Sequence, residues 1–337
     1  MKLIVTFILL IGIYLASCNP QKQDTFLSAN SQELPVHDHQ SLRPDSISPQ
    51  QTIRLEYGDL EAVFIDNSSY GQDHRAGYNG ISELRHSLQD SNLFVPYYAG
   101  FNLEHIFGGD SLIQLFEPRL HPMELFRISD REVLLYQSPT PLSYVESQTR
   151  FELTAPHHVD ISVRFIIHDG KFFEHGYAGL FWASYINRPP DRSIYFLGRE
   201  KGQNTVKWIK AFSAEHGTES THTWIHDTSA LYFAHQFNAR LASHFSNYLY
   251  EAPYFYGRFH QMVLAFFFDR TEGIRFSQSP TGGGEYSPAW DFQFIVPQFT
   301  AGREYSFRVR MVYKKWAGRE DIVDEYSQWI SILDSKP

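Results

Sequence analysis

The stretch QTRFELTAPHHVDISVRFII, residues 148–167, decides the fold, because polar and apolar side chains alternate along it on both sides of Pro156. Strict alternation is typical of a β-strand with one buried face, since successive side chains point to opposite faces of a sheet. Proline cannot donate a hydrogen bond to a neighbouring strand, so it belongs at the end of a strand. The stretch therefore predicts two strands that are broken at Pro156.

The same alternation recurs along most of the chain, with glycine and proline in the intervening turns. Thr52–Glu56 and Leu60–Ile65 flank Gly58-Asp59, whose residue types favour a tight hairpin turn. Many short strands with almost no helices between them favour an antiparallel fold over a βαβ fold. We expect an all-β protein, one large antiparallel β-sandwich over residues 51–337. Further strands are predicted at Ser193–Leu197, Ala230–Phe237, Met262–Phe268, Ile274–Ser277, Trp290–Val296 and Glu304–Lys314.

A short helix is predicted near the C-terminus. From Ile322 to Leu333 the apolar residues recur at helical spacing, and Glu320 and Asp321 lie in the first turn, where acidic residues are favoured. We expect this helix to pack on the sandwich and to close the domain.

The N-terminal residues 1–18, MKLIVTFILLIGIYLASC, predict a signal peptide. The apolar run from Leu3 to Leu15 is shorter than the ~20 residues of a membrane-spanning helix, but it suits the apolar region of a signal peptide. Leu15-Ala16-Ser17-Cys18 resembles the lipobox of bacterial lipoproteins. The resemblance implies that lipid on Cys18 anchors the mature chain in the bacterial cell envelope, either periplasmic or surface-exposed.

Cys18 is the one cysteine among 337 residues, so no disulfide within the chain can hold the fold together. Residues 19–50 are rich in Gln, Ser, Pro and Asn and poor in large apolar side chains, a composition too polar to form a core. These residues predict a flexible tether between the lipid anchor and the domain.

Composition narrows the classes of ligand. The formal net charge of −9 argues against nucleic acid, which is bound by basic surfaces. Aromatic residues make up 16% of the chain, which fits a large β core and also fits a carbohydrate site lined by flat rings. The chain contains no serine-hydrolase, zinc-helix, phosphate-loop or cysteine-based metal motif, so we predict no metal and no cofactor.

Acid–base chemistry has five candidates, which place an imidazole or a carboxyl group near a predicted strand end: Glu104, His105, His157, His158 and Asp291. A histidine with its ordinary pKa of ~6.5 can exchange protons with a carboxylate near neutral pH. The alternative for each histidine is a structural, hydrogen-bonded side chain. The alternative for Asp291 is a turn-bonding residue at the start of a strand.

Sugar binding has five further candidates: Trp182, Tyr185, Asn187, Arg188 and Trp290. An aromatic ring can pack on the apolar face of a sugar while neighbouring amide and guanidinium groups pair with its hydroxyls. The alternative is that the aromatic members belong to the hydrophobic core.

The order of these segments resembles galactose-mutarotase-like β-supersandwich domains. The resemblance includes the opening hairpin, the loop at residues 77–81 (GYNGI) and the closing strands Trp290–Val296 and Glu304–Tyr313. It implies a histidine acid and a late-strand carboxylate base that together open and reclose a sugar ring at its anomeric carbon. Asp291 stands at the late position, where the epimerases of the family generally have Glu.

The leading hypothesis is a membrane-anchored, outward-facing protein that binds or acts on carbohydrate in bacterial glycan use. One alternative is a non-catalytic envelope lipoprotein that binds a protein partner, in which case the histidines would scatter in space. Another is a metal-assisted hydrolase or lyase, which needs three or more His, Asp or Glu side chains at one point. The sequence leaves the oligomeric state open.

Overall fold

A computed structural model of the chain describes residues 42–69, 77–109, 116–233 and 240–335. These described residues all belong to one compact unit. Strands dominate the described residues, so the all-β prediction is confirmed. The predicted signal peptide, Cys18 and residues 19–41 of the predicted tether lie outside the described residues.

The first half of the chain contributes strands β1 (Thr52–Tyr57), β2 (Leu60–Ile65), β3 (Gly80–His86), β4 (Asn102–Phe107), β5 (Met123–Arg127), β6 (Glu132–Gln137), β7 (Val145–Thr154), β8 (His158–Ile167) and β9 (Tyr177–Ala183). The second half contributes β10 (Ile194–Glu200), β11 (Lys207–Ala211), β12 (Thr221–Trp224), β13 (Phe245–Tyr250), β14 (Tyr254–Phe259), β15 (Met262–Phe268), β16 (Ile274–Ser279), β17 (Ala289–Pro297) and β18 (Glu304–Lys315). The helices are α1 (Glu117–Leu120), α2 (Arg240–Ser243) and α3 (Arg319–Asp334).

Strands β7 and β8 confirm the hairpin predicted from residues 148–167. They pair antiparallel from Val145 opposite Ile167 to Thr154 opposite His158, and Pro156 lies in the turn between them. The alternating apolar side chains enter the core. Alternation thus fixed both the strands and the face that each one buries.

Fifteen strands form one long sheet in the order β4-β9-β17-β16-β12-β13-β10-β14-β15-β18-β8-β7-β6-β5, with β11 paired to β10, while β1, β2 and β3 form a separate sheet. The long sheet folds back on itself. This is shown by Phe294 of β17, which packs on Phe307 of β18 with ring centroids 4.6 Å apart. These strands lie far apart in the sheet order, so the contact joins two layers of a sandwich.

Most of the other strand predictions are confirmed to within a few residues, and α3 confirms the C-terminal helix. The prediction at Ala230–Phe237 is wrong for residues 230–233, which form no strand, and residues 234–237 lie outside the described part of the chain. Helix α3 buries Ile322 and Trp329 against the sheet. None of the helices in the described ranges is long and apolar enough to cross a membrane.

The sequence predicts that the domain starts at residue 51, but contacts with the domain begin earlier in the chain. Leu42 is 3% exposed and packs in a small cluster with Phe126. Its backbone N–H donates to Glu146 Oε1 at 3.2 Å, and the neighbouring Arg43 forms an ion pair with Glu124 at 2.7 Å. Leu42 and Arg43, which lie within the predicted tether, therefore belong to the folded domain.

One end of the long sheet is formed by strands β4, β9, β17 and β16, whose side chains point to two opposite faces. Phe292 and other inward side chains join the main core. Phe181 and its neighbours on the opposite face, here called the outer face, form a second apolar cluster against which Leu231 and Phe233 pack. This cover buries the polar side chains that share the outer face, among them Asp291 and Gln293.

Trp182 and Trp290, two of the predicted sugar-binding residues, point into the main core instead. Trp182 is 1% exposed and stacks on Phe292 at 5.2 Å. Trp290 is fully buried, and its ring fills the space beside Gly257, where an added Cβ would lie only 2.2 Å from the indole. Neither ring offers a face to a ligand, so their predicted stacking role does not fit the structure.

Candidate functional site

Glu104 is the centre of a buried polar site on the outer face. Its Oε2 accepts hydrogen bonds from the Tyr185 hydroxyl at 2.5 Å and from Asn102 Nδ2 at 3.2 Å. Its Oε1 accepts from Arg119 Nη1 at 3.3 Å. Three donors from three segments of the chain thus converge on one carboxylate, which is 5% exposed. Such charge-assisted hydrogen bonds are the strong ones in proteins.

A β-bulge in β4 aims Glu104 at these donors. Leu103 pairs with Trp182 and His105 pairs with Phe181, so Glu104 is the extra residue between two adjacent pairs. A bulge bends its strand and redirects one side chain, and bulges are frequent beside active sites. The local sequence NLEHIF therefore presents both Glu104 and His105 on the outer side of the sheet.

The loop before β3 fixes the bulge in place through a pair of asparagines. Asn79 Nδ2 donates to Asn102 Oδ1 at 2.9 Å, and the Leu103 N–H donates to Asn79 Oδ1 at 3.0 Å. Both amides are buried, and a buried amide contributes most when its donors and acceptors are paired. The sequence reasoning missed Asn79 and Asn102 because a buried asparagine pair leaves no local pattern.

Three tyrosine rings, here called the tyrosine trio, form one wall of the site: Tyr78, Tyr98 and Tyr185. Their ring centroids lie 4.9 to 5.3 Å apart. The Arg119 guanidinium lies 3.9 Å from the Tyr78 ring centroid, a cation–π contact that holds it beside Glu104. Burial, and then the charge of Glu104, raise the pKa of both Tyr78 and Tyr185. Both hydroxyls therefore keep their protons near neutral pH, and that of Tyr185 donates to Glu104.

Asp291 on β17 is the second carboxyl group of the site. Its Oδ1 accepts the backbone N–H of Ser184 at 3.0 Å, and its Oδ2 is buried with no hydrogen-bond partner among the described residues. Burial, followed by the charge of Glu104, raises the pKa of Asp291 well above its usual value. Burial therefore favours the protonated form of Asp291.

The two carboxyl groups have different surroundings and so suit different chemistry. Glu104 faces a guanidinium and two further donors, whereas Asp291 is 1% exposed and accepts from one backbone donor. Environments that separate two carboxyl groups in this way are how enzymes keep one as an acid and the other as a base. The outer face can thus hold a proton donor and a proton acceptor together.

His105 belongs to the same site. Its Nε2 lies 4.0 Å from Glu104 Oε1, and its ring packs between Phe116 and Phe181, with centroid distances of 4.8 and 5.3 Å. Four of the ten predicted catalytic and sugar-binding residues therefore converge here: Glu104, His105, Tyr185 and Asp291.

His157 and His158 lie elsewhere. They follow Pro156 in the β7–β8 turn and contact Glu325 of α3 at 3.1 and 3.0 Å. None of their contacts in the described part of the chain is with Glu104 or Asp291. The prediction that they share a site with Asp291 does not fit this placement.

Asn187 and Arg188 follow Tyr185 but turn away from the carboxylates. Asn187 Nδ2 donates to the Asn92 carbonyl at 3.4 Å, and Arg188 is exposed with a left-handed backbone, φ 49°. Asn187 thereby supports the loop at residues 92–95, whereas the Arg188 backbone N–H donates to Ser287 Oγ at 3.3 Å. The structure thus leaves Tyr185 as the member of this predicted group that lies in the site.

No protein-family model and no curated protein sequence matches the chain. Among solved structures, a putative aldose 1-epimerase from Escherichia coli K12 is 8% identical with a TM-score of 0.44, over 79% of this chain and 99% of that one. An alpha-N-acetylgalactosaminidase from Bifidobacterium bifidum is 10% identical with a TM-score of 0.47, over 83% of this chain and 39% of that one. Heparan sulfate lyase HepC from Pedobacter heparinus is 12% identical with a TM-score of 0.39, over 79% and 35%.

The raised pKa of Asp291 predicts a pH-dependent effect of Asp291→Asn on stability. Above pH ~3.9 the unfolded chain releases the Asp291 proton while the folded chain retains it, so wild-type stability falls as pH rises, by up to ~1.4 kcal/mol per pH unit. Asparagine cannot ionise, so the free energy of unfolding of the variant, relative to that of wild type, should rise from pH 4 to pH 7.5, by up to ~1.4 kcal/mol per pH unit. Urea unfolding at the two pH values measures the difference.

Asp130→Asn, which alters an exposed aspartate, controls for the loss of one charge. If Asp291→Asn were destabilised equally at both pH values, Asp291 would be ionised in the folded protein and the assignment would be wrong.

Proposed function

We propose that this chain binds a carbohydrate at the outer-face site and can carry out proton transfer on it. The observation that carries the proposal is the convergence of Glu104, the Tyr185 hydroxyl and Arg119 beside the tyrosine trio. Sugars present hydroxyls that both donate and accept, together with apolar C–H faces. A carboxylate, a guanidinium and aromatic rings at one point complement both features.

The exposed fractions of the four residues indicate which of them contact the ligand directly. Glu104, His105 and Tyr185 are each 5–7% exposed, whereas Asp291 is 1% exposed. A ligand therefore contacts Glu104, His105 and Tyr185 directly, while Asp291 acts from beneath them as a neutral donor. The repulsion between the two carboxyl groups is avoided because Asp291 keeps its proton.

The reaction that this arrangement supports is opening of a sugar ring at its anomeric carbon. Glu104 takes the proton of the anomeric hydroxyl, the bond from that carbon to the ring oxygen breaks, and protonated His105 gives a proton to the ring oxygen. Reclosure on the other face of the carbonyl yields the other anomer. General acid–base steps of this kind typically contribute 10²–10⁴-fold in rate.

The test is an NMR titration of a broad panel of neutral sugars and uronates, combined with NMR exchange measurements of their anomers. We expect saturable binding that weakens at least tenfold, about 1.4 kcal/mol, in Tyr185→Phe and Glu104→Gln. Glu104→Gln should also abolish any accelerated anomer exchange, because an amide cannot accept the proton. Tyr144→Phe, at a tyrosine 44% exposed, is the matched control.

Binding without exchange would leave a carbohydrate-binding protein, whereas neither binding nor exchange across the panel would exclude the proposal. In that case a protein partner becomes the better account.

We also propose that the chain is a lipoprotein of the bacterial envelope that presents this site outward. The support is the apolar N-terminal run, the sequence Leu15-Ala16-Ser17-Cys18 and the polar residues 19–41 that precede the domain. Acyl chains add ~0.8 kcal/mol per buried CH₂, so more than one chain is needed for a stable anchor.

Growth with an alkyne-labelled fatty acid tests the anchor. The wild-type protein should incorporate the label and fractionate with membranes, and Cys18→Ala should lose both properties because the acylated thiol is gone. An unlabelled wild-type protein in the soluble fraction would contradict the lipoprotein assignment.

A further inference from the structure

A second cluster of ionisable groups lies where the β7–β8 turn meets helix α3. His157 Nε2 lies 3.1 Å from Glu325 Oε1, and His158 Nε2 lies 3.0 Å from Glu325 Oε2. These side chains are 13%, 9% and 14% exposed, so the cluster is shielded yet reachable from solvent. Their three ligand atoms all lie within 4.8 Å of one another.

Negative charge exceeds positive charge around this cluster. Lys314 Nζ bonds both Asp321 at 2.9 Å and Glu325 at 2.6 Å, and Asp59 Oδ2 lies 4.0 Å from His157 Nδ1. The cluster and its immediate neighbours thus include three carboxylates and one lysine. The nearby Arg310 is already paired with Asp160 at 2.6 Å and does not alter the balance. With neutral histidines the cluster carries two excess negative charges.

Both histidines direct a ring nitrogen at the same carboxylate. His158 directs Nε2 to Glu325 Oε2. His157 directs Nε2 to Glu325 and Nδ1 towards Asp59. Metal-ligating histidines commonly present their second nitrogen to a carboxylate in this way, which fixes the tautomer.

His86 lies beside the cluster, where it contacts Asp59. Its Nδ1 accepts the Leu88 N–H at 3.0 Å, so in the neutral ring the proton is on Nε2. That nitrogen faces Asp59 Oδ2 at 3.8 Å. His86 therefore orients Asp59 and is not itself counted as a ligand.

We propose that His157, His158 and Glu325 bind one divalent transition-metal ion, with Zn²⁺ the best match. Two imidazole nitrogens and one carboxylate oxygen form a common zinc ligand set, and a water molecule completes the coordination. A divalent cation also cancels the two excess negative charges. Lys314 and Asp59 orient the ligands from outside.

The metal has a structural consequence, because its ligands come from two separate parts of the fold. His157 and His158 belong to the β7–β8 hairpin, and Glu325 belongs to α3. An ion held by all three joins the C-terminal helix to the sandwich, in addition to the apolar contacts of Ile322 and Trp329. A ligand that binds only the folded state raises the unfolding temperature by mass action.

The experiment uses the untagged protein without its signal peptide, stripped with a chelator and titrated with ZnCl₂ by calorimetry. We expect one Zn²⁺ per chain and a rise in unfolding temperature. Mg²⁺ and Ca²⁺ should produce neither effect, since these ions prefer all-oxygen sites. Co²⁺ in place of Zn²⁺ should give the visible absorption of a tetrahedral centre.

His158→Gln and Glu325→Gln should each weaken Zn²⁺ binding at least tenfold and remove the thermal shift. The matched control is His168→Gln, because His168 also contacts a carboxylate, that of Glu146 at 2.8 Å, but belongs to no group of three possible ligands among the described residues. This variant should bind Zn²⁺ as wild type does. Wild-type protein that fails to bind Zn²⁺ stoichiometrically would overturn the proposal, whether or not the variants fold. Undiminished Zn²⁺ binding by both ligand variants would also overturn it, by placing the ion elsewhere.

Discussion

The inward ring of Phe292 is the constraint on which the rest of the structure depends. It stacks on Trp182 at 5.2 Å, meets Phe268 at 4.9 Å and contacts Phe307 of the opposite layer at 6.0 Å. Because side chains alternate along a strand, burying Phe292 forces Asp291 and Gln293 onto the outer face. A shift of one residue in register would reverse this placement and expose the core rings. The same packing that stabilises the sandwich therefore places a carboxyl group in the candidate site.

The outer-face site combines that placement with a local irregularity. Regular pairing of β4 would not direct both Glu104 and His105 outward, but the bulge at Glu104 does. The asparagine pair Asn79 and Asn102 then fixes the bulge to the loop before β3. Burial of two carboxyl groups is costly, and the cost is reduced because one meets Arg119 and the other retains its proton.

Sequence alone could predict the strands that have one covered face. The two strands of residues 148–167 are the example, since buried and partly exposed side chains alternate along them. Strand β15, predicted with its observed bounds Met262–Phe268, is buried along its whole length and was found from its apolar run alone. Sequence alone could not predict β4 or β9, because all six residues of β4 and all seven of β9 are buried and no alternation remains. For the same reason it could not tell that Trp182 points inward. A strand covered on both faces gives no sign of which side chains meet the core.

The candidate site was predictable only in part, and the reason is again physical. Glu104 and His105 were found because two ionisable residues stand next to each other, and Asp291 because it stands at a strand start. Arg119 and Asn79 reach the site through contacts 15 and 24 residues away in the chain, which no local pattern reports. His157 and His158 were predicted as ionisable residues near a strand end, but their partner is Glu325, which lies 167 to 168 residues further on.

The central claim is that burial on the outer face keeps the Asp291 carboxyl group protonated at neutral pH. Infrared difference spectra at pH 7 between the wild-type protein and each single variant, Asp291→Asn and Glu104→Gln, test it directly. The account predicts that the C=O stretching band of a protonated carboxyl disappears in Asp291→Asn and remains in Glu104→Gln. A wild-type protein without the protonated-carboxyl band, or one that loses it in Glu104→Gln instead, would contradict the account.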